Sequence, residues 1–467
     1  MKNWILIVLF MTLSLGFSQE KESEFLRFEE FMGMVKSYHP LVKQANLIIE
    51  QGQANLLKAR GGFDPKLEVD FDRKSFKNST YYDKLNATFK IPTWYGVEFQ
   101  ANFEETDGSF LNPEATFPEN GLYNAGVSVS LAQGFLINDR MAALKQAKLF
   151  KKQTQAERDL MVNELMYKAA LSYFEWLQAS NAVLVYQNFL QNTEFRFNAV
   201  VKSIEAGETA AIDSVEASIA FNNRRLSLEK ARLDLTKARL FASNFLWLEN
   251  NIPVELKEEV LPLIDRQEVV EEVLEIDEFS NSDFVVSQHP KIQALNLKSQ
   301  SLEVDRRLKA NMLLPQVDLK YNFLSETPRD FSSFNTANYK SALRLAFPLF
   351  LRKERGALRL TKLKLQDIEF EIYSTEVQIQ NKLVALENAA QSYTRQLEIN
   401  DRLVRDYERL LRAEERKFGL GESSLFLVNS RETKLIEARL KAIGLLNDYY
   451  FTQAEIFNGM ARNPIFE

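Results

Sequence analysis

His39 and His289 are the only histidines in the 467-residue chain, and each stands directly before a proline, Pro40 and Pro290. Paired imidazoles could hold a metal ion or relay a proton. They could equally end one helix and cap the next, because a residue before proline is biased away from the helical region. Recurrence of His-Pro in two equivalent settings favours capping. Cysteine is absent, which excludes disulfides, thiolate metal sites, cysteine nucleophiles and a lipidated N-terminal cysteine. The chain holds no phosphate-cradling glycine loop, no His/Asp/Glu metal cluster, and no serine or acid in a recognisable catalytic frame. The residue inventory is that of a protein without enzymatic activity, cofactor or metal.

The function must then lie in the elements themselves. Apolar residues make up 45% of the chain and its net charge is -6, so nothing points to nucleic acid as a partner. Lys2, the apolar run Trp4 to Leu15 and the small residues around Gly16-Phe17-Ser18 have the layout of a secretory signal peptide over 1–18, with Gln19 as the first mature residue. No later stretch has 18 continuous apolar residues, so any entry into a membrane would be as strands.

One stretch organises the rest. Leu131 to Gly207 contains no proline, and its only glycines, Gly134 and Gly207, lie at its edges. A helix of about 70 residues would be roughly 100 Å long. The layout recurs at a constant offset of 214: Leu131-Ala132 with Leu345-Ala346, Ala143-Leu144 with Ala357-Leu358, and Gly207-Glu208-Thr209 with Gly421-Glu422-Ser423. Earlier in the repeat His39-Pro40 matches His289-Pro290, and Pro65 matches Pro315, at an offset of 250. The whole difference of 36 residues is absorbed between the paired prolines and the paired Leu-Ala. The helices are length-locked and the segment before them is not, as expected if helices run side by side while hairpin loops face solvent.

That variable segment changes period from about 3.6 to 2. Leu67, Val69 and Phe71 alternate with Glu68, Asp70 and Asp72, and further alternating runs follow over Leu85–Ile91, Tyr95–Phe103 and Tyr123–Leu131. The second repeat has two such runs, Val317–Phe323 and Tyr339–Phe347. Strict alternation gives strands with one apolar and one polar face, and strands of this length suit a tilted transmembrane barrel. Trp94, Tyr95, Tyr81, Tyr82 and Tyr123 lie near strand ends, where interfacial aromatics belong. Too few strands are present in one chain to close a barrel alone, so symmetric copies would share one. The extra strand pair of the first repeat is expected to extend above the membrane, leaving four strands per chain and twelve in a trimer; the other option is that it joins the barrel and widens it. After the long helix, Leu226, Leu233 and Leu240 form one heptad seam and Ala231 and Ala238 another, as on a helix with a neighbour on each side. Glu249 to Asp283 holds twelve acidic and two basic residues and reads as a linker with short elements and an exposed face.

The order and duplication of these features resemble the TolC-type outer-membrane efflux protein family over about residues 24–460, and Gly134–Arg140 and Pro348–Glu354 are similar to segments of its Bacteroidetes members. The resemblance implies a mostly α fold with a β-barrel portion: a duplicated helix-strand-strand-helix repeat that builds a trimeric outer-membrane β-barrel and a long periplasmic α-helical barrel. It divides the chain into a signal peptide (1–18), a first repeat (19–249), an acidic linker (250–286), a second repeat (287–460) and a tail (461–467). The first repeat has helices over 24–60, barrel strands over 66–132 and long helices over 136–206 and 211–248. The second has a helix over 290–312, barrel strands over 316–347 and long helices over 350–418 and 423–459.

The family further implies a homotrimer in outer-membrane lipid, docked on a periplasmic adaptor and an inner-membrane transporter of RND, ABC or MFS type. It would serve as exit duct for small molecules or proteins in tripartite efflux or type I secretion. The turns Gly207, Glu208, Thr209 and Gly421, Glu422, Ser423 would form the adaptor-contacting tip. Asp213 matches the family's first-repeat gate acid, and Glu216 lies one helical turn further on the same face. The corresponding second-repeat positions are Leu427 and Ser430, where the best-known members have acids. Phe418 and Ser423 stand where those members have a tyrosine and an arginine that lock the gate, so the familiar lock does not carry over intact. The rival to a channel is a structural coiled-coil protein of the cell envelope.

Overall fold

A computed structural model describes residues 24–207, 210–276, 284–327 and 335–462. The proposed signal peptide, and Glu208 and Thr209 of the first tip, lie outside the described residues.

The chain opens with a short strand, β1 (Glu24–Arg27), where the sequence alone suggests helix, and continues into α1 (Phe28–Tyr38) and α2 (Pro40–Arg60). His39 separates the two helices. Its Nδ1 accepts the Leu41 N–H at 3.1 Å, and Pro40 occupies the first helical position, where a missing N–H costs nothing. The second repeat copies this: His289 Nδ1 accepts the Lys291 N–H at 3.1 Å at the start of α6 (Pro290–Asn311).

Four strands follow α2: β2 (Lys66–Phe76), β3 (Ser79–Pro92), β4 (Val97–Asp107) and β5 (Leu122–Ser130). Then comes α3 (Asp139–Glu205), 67 residues long, capped by Asn138, whose side chain accepts the Met141 N–H at 2.9 Å. It turns into α4 (Ala211–Ser243). After α6 the second repeat supplies β9 (Gln316–Ser325) and β10 (Tyr339–Ala346), the 68-residue α7 (Arg352–Gly419) and α8 (Leu425–Met460). The long helices α3 and α7 run the full height of the helical part. α2 and α6 accompany them over the half next to the sheet, and α4 and α8 over the half that ends at the turns.

The acidic segment has the short elements expected, but one side of it is buried in the core rather than left as a free linker. It forms β6 (Trp247–Leu248), β7 (Ile252–Pro253), β8 (Val260–Leu263) and α5 (Glu268–Val273). β8 pairs in parallel with β1, and Val270, Leu274 and Ile276 are buried in the main core with Phe28, Phe31, Tyr173, Phe174 and Trp176. Tyr173 ties these parts together. Its hydroxyl lies 2.7 Å from the Leu26 carbonyl and accepts the Leu263 N–H at 2.9 Å. Glu255, Glu258, Glu268 and Glu272 are exposed while Val269, Val270 and Leu274 are buried, so net charge hid an amphipathic pattern.

All six long strands share one antiparallel sheet in the order β10-β9-β5-β4-β3-β2. The expectation that the extra pair extends beyond the others is therefore corrected. β2 and β3 pair along their full length and lie level with β4. The physical reason is simple: β3 offers eleven residues to β2 and ten to β4, and those backbone groups bond best inside the same sheet.

Candidate channel wall and helical tip

The sheet has two chemically distinct faces, and its registers show this row by row. One row reads Leu67, Phe89, Ala101, Ala125, Phe323, Tyr339 from β2 to β10, and the row beside it on the same face includes Val69, Ala87, Phe103 and Tyr123. The opposite face reads Lys66, Lys90, Gln100, Gly126, Asn322, Lys340, with Glu68, Thr88, Asn102 and Asn124 alongside. Polar groups on this face bond one another: Lys90 to Glu68 at 2.5 Å, and Gln100 to Asn322 at 2.7 Å. Gln100 reaches Asn322 across the intervening strand because Gly126 lies between them; a Cβ there would sit 2.2 Å from Asn322 Oδ1 and 2.1 Å from the Tyr321 carbonyl. The apolar face is open to its surroundings, with Leu67, Val69, Phe99 and Leu343 all exposed. A sheet that leaves apolar side chains uncovered on one side and polar ones on the other separates hydrocarbon from water.

Aromatic and aliphatic groups collect at both ends of the strands. At the end remote from the helices Tyr81 stacks on Phe110 at 4.6 Å and meets Phe76 at 6.1 Å. At the helix end Trp94 stacks on Phe63 at 5.5 Å, and Phe347, Leu349 and Phe350 are exposed. The five aromatics expected near strand ends are there: Trp94 and Tyr95 between β3 and β4, Tyr81 and Tyr82 near the start of β3, and Tyr123 second in β5. Tyr82 is on the polar face, under Lys84 at 4.6 Å. Tyr123 packs on Phe103 at 4.7 Å on the apolar face.

At the far end of the helices the glycines that open the two turns share one backbone conformation. Gly207 and Gly421 both have φ of 76°, which a Cβ would strain. Gly421 donates to the Phe418 carbonyl at 3.0 Å and Glu422 to the Lys417 carbonyl at 2.9 Å, closing the end of α7. Phe418 is half-buried and joins the two hairpins, packing with Val200 of α3, Ala217 of α4 and Leu425 of α8. Ser423 donates to Glu414 Oε1 at 2.6 Å, and Arg431 approaches the other oxygen at 3.7 Å. Glu216 and Ser430 line one groove of about 350 Å³ between α4 and α8, with Arg224 and Lys434. Asp213 and Leu427 do not line that groove; both are partly exposed nearer the turns.

A buried charge cluster above these turns escaped the sequence reading. Glu432 of α8 is 1% exposed and pairs with Arg196 of α3; Arg224 of α4 lies 3.6 Å from its other oxygen. Thr193 donates to Glu432 at 3.2 Å, Arg224 also donates to Thr433 at 2.8 Å, and Arg196 reaches Glu415 of α7 at 3.4 Å. Three helices of the tip thus meet at one carboxylate, and Arg196 extends the cluster to the fourth. The signal lay in periodicity: Glu432 interrupts the inward stripe Leu425, Val428, Leu435, Ile436, where a charge is out of place unless paired.

Among the described residues no three His, Asp or Glu side chains converge as a metal would need, and no helix is long and apolar enough to cross a membrane. No family model and no curated protein sequence matches the chain. Solved structures do. The chain is similar to the Campylobacter jejuni CmeC outer membrane channel, with 12% identity, a TM-score of 0.66, and 92% of this chain and 85% of that one covered. It is similar to the open state of the Neisseria gonorrhoeae MtrE outer membrane channel, with 13% identity and a TM-score of 0.64 over 93% and 88% of the two chains. The outer membrane protein VceC of Vibrio cholerae matches with 12% identity and a TM-score of 0.63 over 92% and 95%. The fold is that of the TolC-type outer-membrane channels. Identity this low carries the fold alone.

Proposed function

We propose that this protein is an outer-membrane exit duct. Symmetric copies, three by the resemblance, join their sheets into one barrel and their helices into a periplasmic tunnel. The single observation that carries this is the sheet with one uncovered apolar face and one polar face, mounted on helices of about 100 Å. The helical part has matching unpartnered stripes on its two sides. Ile212, Ile219, Leu226, Leu233 and Leu240 recur every seventh residue on α4 and are exposed, while Ala231 and Ala238 of the other seam pack against α3. On α7, Leu363, Phe370, Val377 and Val384 repeat the same spacing and are exposed. Such stripes fit the neighbouring copies in a closed ring.

The duct would take its cargo from an inner-membrane transporter through a periplasmic adaptor that meets the Gly207 and Gly421 turns. Asp213 and Glu216, one helical turn apart, would form a ring of negative charge near the axis and favour cations. The ring would lie in the first repeat only, since Leu427 and Ser430 carry no charge.

Cell fractionation tests the reading: the protein belongs in the outer membrane as a heat-modifiable trimer that forms pores in planar bilayers, and a soluble periplasmic monomer would sink it. Asp213→Asn combined with Glu216→Gln should reduce cation preference and cation block. Unchanged selectivity and block would remove both residues from the gate.

A further inference from the structure

The sheet ends on two free edges. Among the described residues neither β2 nor β10 has a partner on its outer side. Unpaired backbone cannot stand in hydrocarbon, so these edges must be covered. The six strands alternate in direction, with β2 running away from the helices and β10 returning to them, so the β10 edge of one copy meets the β2 edge of the next antiparallel. The two kinds of antiparallel pair alternate across the sheet, and an even strand count puts both outer edges in the same phase.

The register of that closure follows from the register inside the chain. The row that starts at Lys66, the first residue of β2, arrives on β10 at Lys340. β10 continues six residues further toward the helices, to Ala346. Both strand ends at this level are bounded by a proline, Pro65 before β2 and Pro348 after β10, where each joins its helix. We propose that β2 of one copy pairs with β10 of its neighbour with Lys66 opposite Ala346, so that every copy adds six strands and a stagger of six residues. This rests on the channel reading above. A stagger of six residues over six strands tilts the strands by about 35°, from a rise of roughly 3.3 Å per residue and a strand spacing of roughly 4.8 Å. That is the tilt at which membrane barrels close.

Side chains agree with this register and with no neighbouring one. It sets Leu67 opposite Leu345 and Val69 opposite Leu343 on the apolar face, and Glu68 opposite Arg344 and Asp72 opposite Lys340 on the polar face. A slip of two residues one way would place Lys66 opposite Arg344. The opposite slip would place Lys74 opposite Lys340. Like charges directly opposite destabilise a pair. Three copies of six strands give an eighteen-strand barrel, about 34 Å across between backbones, rather than a twelve-strand one of about 23 Å.

The natural absence of cysteine makes the test clean. Full-length protein carrying Glu68→Cys with Arg344→Cys should form disulfide-linked species up to the covalent trimer when an added oxidant couples the thiols, and a reducing agent should return them to monomer. Glu68→Cys with Ala342→Cys, and Glu68→Cys with Ala346→Cys, should cross-link at least fivefold less. As a second measurement, Arg344→Glu should lower the heat stability of the assembled trimer by setting it against Glu68, and Glu68→Gln should make the trimer less sensitive to that change. Cross-linking strongest in a slipped pair, or absent from all three pairs in a protein that still forms pores, overturns the register and leaves the channel standing. Loss of pores together with loss of all cross-links in otherwise unmodified folds overturns both.

Discussion

Replacing Glu432 by glutamine removes one charge and almost no volume. Arg196 and Arg224, whose side chains are 15% and 12% exposed, would then face a neutral amide. Arg196 would keep Glu415, which is 43% exposed and 3.4 Å away; Arg224 would keep only the Thr433 hydroxyl at 2.8 Å. Breaking a buried ion pair from one side costs about 3–5 kcal/mol, because the partner stays buried and uncompensated. The surviving contact of Arg196 argues for the lower end, about 3 kcal/mol. That corresponds to an increase of about 150-fold in the opening constant of the surrounding helices. Hydrogen exchange of the assembled protein, resolved by peptide, reads this directly. Segments 186–207 and 418–440 should lose protection by about two orders of magnitude, while the sheet strands keep theirs. Removing the arginines as well, by Arg196→Met and Arg224→Leu with Glu432→Leu, should return most of the protection, since apolar replacement of a buried ionic cluster is often neutral or better. Unchanged exchange in Glu432→Gln, or a triple variant worse than the single one, would refute the idea that this carboxylate holds α3, α4 and α8 together.

Burial pulls the His289 imidazole down to about 4, and burial lowers His39 as well. Below pH 6.5 the unfolded chain takes up a proton at His289 that the native chain refuses, so stability present at neutral pH falls as pH drops from about 6.5 to 4, by up to about 3 kcal/mol. His289→Asn keeps an N-cap acceptor and should flatten that part of a thermal-stability profile against pH; an equally steep profile would exclude His289 as its source. Gly126→Val should block assembly, because its side chain meets the Tyr321 backbone and Asn322, and a normal yield of trimer on gels would count against the tight β5–β9 seam. Gly421→Ala leaves room for the methyl but not for φ of 76°, and should destabilise the tip by about 1–2 kcal/mol in the same exchange measurement. Leu226→Glu with Leu233→Glu should weaken the trimer on heating, whereas truly exposed positions would shift stability by no more than about 0.5 kcal/mol.

Much of this molecule follows from local rules. Two-residue alternation specifies the strands and their faces, because side chains of a strand point alternately to opposite sides. Proline-free runs bounded by glycine specify the long helices, and His-Pro specifies the breaks between shorter ones, where the imidazole caps rather than ligates. What the sequence left open depends on which surfaces meet. Nothing local tells whether β2 and β3 stand beside β4 or above it; only pairing along their whole length decides that. Nothing local tells that the acidic segment folds back, because its burial depends on Tyr173, about ninety residues away, bonding Leu263. Periodicity puts Glu432 in the inward stripe of α8, but its partners Arg196 and Arg224 arrive from two other helices. Periodicity is a property of one segment and survives in one dimension. Pairing, burial and charge compensation belong to segments brought together, and only the tertiary structure fixes them.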